Sequence, residues 1–310
     1  MRAVVFAYSN VGDRCLRVLH ARGVEVALVV THRDPPGETL WYARVADTAD
    51  ELGLAWIHGD DPKAPELAAA VAAARPDLIF SFYYRAMIPV SLLALAPRGA
   101  YNLHGSLLPK YRGRAPTNWA VLNGETETGA TLHEMVEKPD AGAIVDQQAV
   151  PILPDDTGEQ VFDKVCVAAE IVLWRSLPAI LAGDPPRHPN ELTQGSYFGG
   201  RKPEDGRIAW NQPAARIYDL IRAVAPPYPG AFTELAGERL VISRARRLAA
   251  VRCPAAAGLA PGLHVADGRI VAVGGDGGLI EIHQLLSGST PVDAASLAAL
   301  LAAHRKEPQP

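Results

Sequence analysis

Tyr101-Asn102-Leu103-His104-Gly105-Ser106-Leu107-Leu108-Pro109-Lys110-Tyr111-Arg112-Gly113-Arg114-Ala115-Pro116 is the stretch that decides how this chain of 310 residues is read. Gly99, Ala100 and Tyr101 lead into it as a short apolar run, and turn formers follow His104. The pattern predicts a strand that gives way to a loop. Residues two apart on a strand project to one side, so Asn102 and His104 share a face, an amide beside an imidazole. Further on, Glu137-Lys138-Pro139-Asp140-Ala141-Gly142 is a turn sequence that carries a carboxylate. Asp in such a place serves the turn itself or a nearby base, and only the fold can bring it to His104.

These three residue types suit acyl transfer to an amine. As the amine attacks, the carbonyl oxygen gains negative charge, and a fixed amide N–H aimed there lowers the barrier. The attacking nitrogen sheds a proton, and an imidazole with an intrinsic pKa of about 6.5 takes it at working pH. A carboxylate beside the ring orients it and raises its pKa. Asp140→Asn is then expected to move the activity profile to higher pH, because the ring orientation also loosens. Direct transfer requires no serine or cysteine nucleophile. Ser106 lacks a GxSxG elbow and is read as shaping its loop.

Working outward, Ala3 to Ala7 reads as a buried strand, Asn10 as the cap of a helix carrying Val11, Cys15, Val18 and Leu19, and Val24 to Val30 as a second strand. Strand–helix–strand is the opening of a parallel, Rossmann-like sheet. Its first turn, Ala7-Tyr8-Ser9-Asn10-Val11-Gly12, lacks the GxGxxG glycines, so no NAD is expected. Thr31 to Trp41 reads as a surface loop, Pro65 to Ala74 as a helix and Leu78 to Phe82 as a strand. The loop after that strand, Tyr83-Tyr84-Arg85-Ala86-Met87-Ile88-Pro89, and the loop after His104 are expected to border one cleft at strand carboxyl ends.

Downstream, Pro116 starts a helix, Gly129–Val136 and Ala143–Val150 form a hairpin-like pair around Asp140, and Thr157–Leu181 is the longest helical pattern. Short β-like runs at 232–235, 240–244, 262–265, 270–273 and 279–282 suggest a small barrel. The expected division is 1–190, a linker over 191–205, and 206–310. Arg239, Arg244, Arg246, Arg247 and Arg252 read as a solvated strand face. Three scattered cysteines give neither a metal motif nor a disulfide framework. Net charge is −4, no signal peptide is evident and no apolar run is read as spanning a bilayer, so a cytoplasmic protein engaging neither nucleic acid nor membrane is expected.

The composite Asn-Leu-His-Gly-Ser-Leu-Leu-Pro-Lys-Tyr-Arg-Gly-Arg-Ala-Pro, with Gly124-Glu125-Thr126-Glu127-Thr128-Gly129 and Asp140-Ala141-Gly142, resembles the 10-formyltetrahydrofolate-dependent formyltransferases. Phe82-Tyr83-Tyr84-Arg85, Met87-Ile88, Arg222-Ala223-Val224 and Pro229-Gly230-Ala231-Phe232 make it most similar to members acting on UDP-4-amino-4-deoxy-L-arabinose. The resemblance implies an α/β Rossmann-like catalytic domain followed by a small OB-like β-barrel. It implies Asn102 on the oxyanion, His104 on the amine proton and Asp140 raising the His104 pKa. For the folate it implies main-chain groups of Ala86, Met87 and Ile88, with Arg114 and the pocket lining Val136, Glu137, Lys138, Pro139 and Asp140. Members of this branch are often fused to an NAD-dependent decarboxylase, which is expected to be absent from a chain ending at Pro310. Tyr197, Arg201, Lys202 and Tyr228 are candidates for the nucleotide sugar. Competing readings are methionyl-tRNA formylation, which favours a basic surface, hydrolysis of the folate, and a non-catalytic binding protein. Neither the acceptor sugar nor the oligomeric state is legible.

Overall fold

A computed structural model of the protein describes residues 1–34, 40–249 and 252–304. Its first strand, β1 (Arg2–Ala7), is buried from Ala3 onward, because it lies in the middle of a sheet covered on both faces. Around it run α1 (Ser9–Ala21), β2 (Glu25–Thr31), α2 (Val45–Glu51), β3 (Trp56–His58), α3 (Pro65–Ala74), β4 (Leu78–Phe82), α4 (Val90–Leu93) and β5 (Ala100–His104). Then come β6 (Arg112–Gly113), α5 (Pro116–Leu122), β7 (Glu127–Glu134), β8 (Ile144–Pro151), α6 (Gly158–Ala182) and β9 (Tyr197–Phe198). The seven-stranded order is β3-β2-β1-β4-β5-β7-β8, parallel as far as β5 and antiparallel from β5 to β8.

The two-residue period of the strands feeds two separate cores. Ala3, Val5, Ala7, Leu78, Phe80, Phe82, Tyr101 and Leu103 pack on one face with α1 and α6. Val4, Phe6, Ile79 and Ala100 pack on the other with Leu67 and Val71 of α3 and with Tyr84, Ile88 and Leu92. Burying each large side chain stabilises the fold by about 1.5–3 kcal/mol. Asn102 and His104 follow Ala100 in the alternation, so they stand on the second face.

Several local expectations change. Asn10 is not a helix cap: α1 begins at Ser9, and the Asn10 side chain instead accepts a hydrogen bond from Ala43 N–H at 2.7 Å. The loop after β2 includes residues 35–39, which lie outside the described residues. The reading that no apolar run could span a bilayer also fails by length and composition, since α6 has 25 residues and a mean hydropathy of 1.7 over its best 18-residue window. Half of that window is buried within the protein. Val165, Ala169, Val172 and Leu173 of α6 belong to the core, which accounts for their apolar character.

The first compact unit comprises 1–116, 127–151 and 162–199, and the second takes 117–126, 152–161 and the chain from Gly200 on. In the second unit, α7 (Ala214–Ala223) precedes β10 (Ala231–Leu235), β11 (Glu238–Leu248), β12 (Gly262–Ala266), β13 (Arg269–Val273), β14 (Leu279–Ser287), β15 (Thr290–Pro291) and α8 (Ala294–His304). The strands make a curled antiparallel sheet ordered β10-β11-β14-β13-β12, with β15 on β14. Register shifts between Ile242 and Ala245 bend β11. Arg239, Arg244, Arg246 and Arg247 are exposed along β11, with Arg239 over the Phe232 ring and Arg246 paired with Asp155. The fold class is thus an α/β unit with a mostly parallel sheet, followed by a smaller curled β unit, as the sequence predicts.

Candidate active site

β5 lies between β4 and β7, so both edges of its backbone are held by ladder hydrogen bonds. On the β7 side, His133 is opposite Asn102 and Thr131 is opposite His104. Directly opposed residues of an antiparallel pair share a face, and the Asn102, His104 and His133 side chains therefore converge. Asn102 Nδ2 is 3.1 Å from His133 Nε2, and His133 Nδ1 is 2.8 Å from the Glu134 carbonyl oxygen. A carbonyl only accepts, so His133 carries its proton on Nδ1 and its Nε2 accepts one Asn102 N–H. Among the described residues the second Asn102 N–H has no partner.

The same reasoning fixes His104. Its Nε2 donates to the Tyr111 carbonyl at 2.8 Å, leaving Nδ1 as the basic atom. Nδ1 faces Asp140 Oδ1 at 3.5 Å, and His133 Nε2 lies at 3.5 Å from that same oxygen. Asp140 Oδ2 accepts the Gly113 N–H at 2.9 Å. The structure therefore brings together all three residues singled out from the sequence and adds His133. Thr131 and the loop after β5 are stitched as well. Thr131 Oγ1 donates to the Ser106 carbonyl and accepts Leu108 N–H, while Ser106 Oγ donates to the Lys110 carbonyl, which is the loop-shaping part expected of Ser106.

Burial governs the electrostatics. It pulls the His104 pKa below its ordinary value, a pull that the Asp140 carboxylate and the Tyr111 carbonyl offset only in part. Burial pushes the Asp140 carboxyl up, but His104, His133 and the Gly113 N–H outweigh it and hold Asp140 well below the usual carboxylate range. Because Asp140 raises the His104 pKa, removing its charge lowers that pKa further. The expectation that Asp140→Asn moves the activity profile to higher pH is therefore reversed.

The two loops expected to border one cleft meet at Gly105. A Cβ there would lie 1.8 Å from the Tyr83 hydroxyl, so only glycine allows the approach. The two tyrosines beyond β4 pack: Tyr84 is buried and stacks on His32 at 4.1 Å, and Tyr83 lies against Phe162 at 5.7 Å. Beyond them, no hydrogen bond among the described residues uses the main chain of Ala86, Met87 or Ile88. The Ile88 side chain is buried in the core, whereas Met87 and Val136 are exposed apolar groups. Glu137, Lys138 and the Arg114 side chain are exposed, and Pro139 is half-buried. The main chain of Ala86, Met87 and Ile88 thus lacks a hydrogen-bond partner among the described residues, next to the exposed Met87 side chain.

The acceptor candidates fall elsewhere in the chain. Tyr197 is 58% exposed on β9 of the first unit. In the second unit, the Arg201 guanidinium sits 4.8 Å over the Trp119 ring, the Lys202 N–H caps a short turn through Asp205, and Tyr228 is half-buried. Among the described residues no group of His, Cys, Asp or Glu side chains is arranged to hold a metal ion, and all three cysteines are free and buried.

His133 escaped the sequence reading because it is one alternating position in a strand. Only the antiparallel register on β5 assigns it to Asn102. A signal was present: an imidazole two residues past Thr131, on the strand that leads to Asp140.

Comparison with known proteins follows the same lines. In fold, the chain resembles WlaRD, a sugar 3N-formyl transferase crystallised with dTDP and 5-N-formyl-THF, at 18% identity and a TM-score of 0.69, with 91% of this chain and 97% of that one covered. It also resembles the N-formyltransferase from Helicobacter canadensis in complex with folinic acid and dTDP-3-aminofucose, at 18% identity and a TM-score of 0.67 over 91% and 98% of the two chains. A 4-N formyltransferase from Francisella tularensis matches at 20% identity and 0.63 over 78% and 96%. At such identities the likeness is one of fold. The family model for formyl transferases matches residues 1–177, more than half of the sequence, and that for the formyl transferase C-terminal domain matches 201–301. With both models in chain order and the first covering more than half of the residues, this chain belongs to the formyl transferase family of enzymes.

Proposed function

We propose that the enzyme transfers the formyl group of 10-formyltetrahydrofolate to the amine of a nucleotide-linked amino sugar, UDP-4-amino-4-deoxy-L-arabinose or a close relative. The observation that carries the reading is the convergence of a free amide N–H on Asn102 with a basic Nδ1 on His104 backed by Asp140. The reading draws further support from the fold neighbours, which were crystallised with formylated folates and with dTDP or a dTDP-amino sugar.

The acceptor nitrogen attacks the formyl carbon and a C–N bond forms. Asn102 donates its second N–H to the developing oxyanion, an interaction worth on the order of 100-fold or more in rate. His104 Nδ1 takes the proton that the nitrogen sheds, and Asp140 stabilises the resulting imidazolium. As the tetrahedral intermediate collapses, the bond to the folate nitrogen breaks, and the same proton passes from His104 to that leaving nitrogen. Main-chain groups of Ala86, Met87 and Ile88, the Arg114 side chain and residues Val136 to Asp140 would hold the folate. Tyr197, Arg201, Lys202 and Tyr228 are proposed as contacts to the nucleotide or the sugar.

The test is an assay of the purified protein with 10-formyltetrahydrofolate against UDP- and dTDP-linked 3-amino and 4-amino sugars, formylmethionyl-tRNA formation and buffer alone. Formylation of one nucleotide sugar, abolished by His104→Ala, is expected. Equal folate consumption without an acceptor, or activity on the aminoacyl-tRNA only, would sink the reading.

A further inference from the structure

Residues 187–190 run back across the base of the β7–β8 connection. His188 exchanges two main-chain hydrogen bonds with Ile144, at 2.9 and 2.8 Å, and the Arg187 guanidinium pairs with Glu134 at 2.6 Å. Asn190 comes next. Its Nδ2 donates to two carbonyls of the active-site turn, Asp140 O at 3.1 Å and Gly142 O at 3.0 Å. Its Oδ1 is buried with no hydrogen-bond partner among the described residues. Turned the other way, the amide would set an oxygen against two carbonyl oxygens, so the observed orientation is the one the chemistry permits.

The turn needs such a tie. Asp140 has φ +50°, in the left-handed region that costs a non-glycine residue free energy. Gly142 is pressed onto β7 so closely that a Cβ would lie 1.9 Å from the Glu134 carbonyl oxygen. Among the described residues, no other part of the chain hydrogen-bonds to the main chain of residues 136–142. On the side-chain end, Asp140 accepts one Gly113 N–H at 2.9 Å, and the two ring nitrogens lie 3.5 Å from its Oδ1, longer than a good hydrogen bond.

We infer that Asn190 is a positioning residue for Asp140: its two N–H groups clamp the turn in the shape that keeps the carboxylate between His104 and His133. The catalytic consequence rests on the function proposed above, while the clamp itself is a property of the fold. The groups facing His104 are Asp140 from the turn, His133 from β7 and the Tyr111 carbonyl, and of these only Asp140 would move on loss of the clamp.

The experiment reads the His104 pKa by NMR titration of labelled histidine, together with kcat and KM, in the full-length wild type, Asn190→Ala, Asp140→Asn, the double variant, and Arg187→Ala as a control on the same segment. Asn190→Ala is expected to lower the His104 pKa by roughly half a unit or more, and kcat by about tenfold with KM within about twofold. Arg187→Ala should leave the His104 pKa in place. In the Asp140→Asn background the second substitution should cost less than about twofold, because the group it positions has lost its charge. Asn190→Leu keeps the bulk without the donors and adds no charge, and it is read in the same way should the alanine variant not fold. An unmoved His104 pKa, or a full tenfold loss on top of Asp140→Asn, overturns the inference. A His104 pKa that shifts as expected in a protein that formylates no acceptor supports the clamp and removes the proposed function instead.

Discussion

Asn102, His104 and His133 stand on two paired strands, whereas Asp140 stands on a turn. The strand residues take their positions from the ladder: β4 and β7 flank β5, and the register alone sets His133 against Asn102. The acid has no ladder to rely on. Its place comes from side-chain ties, the Gly113 N–H on the carboxylate and the Asn190 amide on the main chain, around a left-handed backbone. The difference teaches that one site can contain a part inherited from the sheet and a part assembled by a few individual bonds. The two parts should respond differently to substitution.

The largest effect should come from the strand half. Asn102→Ala and His104→Ala are each expected to cut kcat by about 100-fold or more, with folate affinity changed far less. Steady-state kinetics and a fluorescence titration of the folate check this, and a turnover near wild type in either variant would break the division at its centre. Asp140→Asn should be milder, about tenfold in kcat, and should carry a signature the strand variants lack. In the proposed mechanism the working base is neutral His104, whose pKa burial already lowers and Asp140 raises, so removing the charge drops that pKa again. The acid limb of the kcat profile then moves to lower pH, and a fixed or rising limb would show that the turn does not set the base. Smallest is His133→Leu, expected at about fivefold because Asn102 keeps its place on β5 and loses only the acceptor that orients its amide. His133 depresses the His104 pKa, so this limb should move slightly upward, opposite to Asp140→Asn.

Much of this was legible in the chain. Leu78–Phe82 and Pro65–Ala74 form the strand and helix that the apolar runs and turn residues predict, and Asn102 and His104 share a face because the strand period demands it. His133 was hidden because its partner lies across an antiparallel pairing that local pattern does not encode. Asn190 is the last residue before the stretch that reads as a linker, and residues up to Gly199 group with the first unit. Tyr197–Phe198 likewise becomes β9, pairs with Arg112–Gly113, and stacks Phe198 on Tyr111 at 5.2 Å, the residue whose carbonyl meets His104 Nε2. Each of these depends on contacts many residues apart, where loop closure rather than propensity decides.

Two imidazoles share one oxygen of one carboxylate, at 3.5 Å each, and both side chains are more than nine-tenths buried. A cation on either ring is balanced by that anion, but a cation on both would leave an excess positive charge in a buried, weakly screening site. The pocket is thus a store with room for a single proton. In the proposed mechanism, His104 would have to hand its proton to the departing nitrogen before it could take one from the next amine, which would tie the release of one product to the activation of the next substrate.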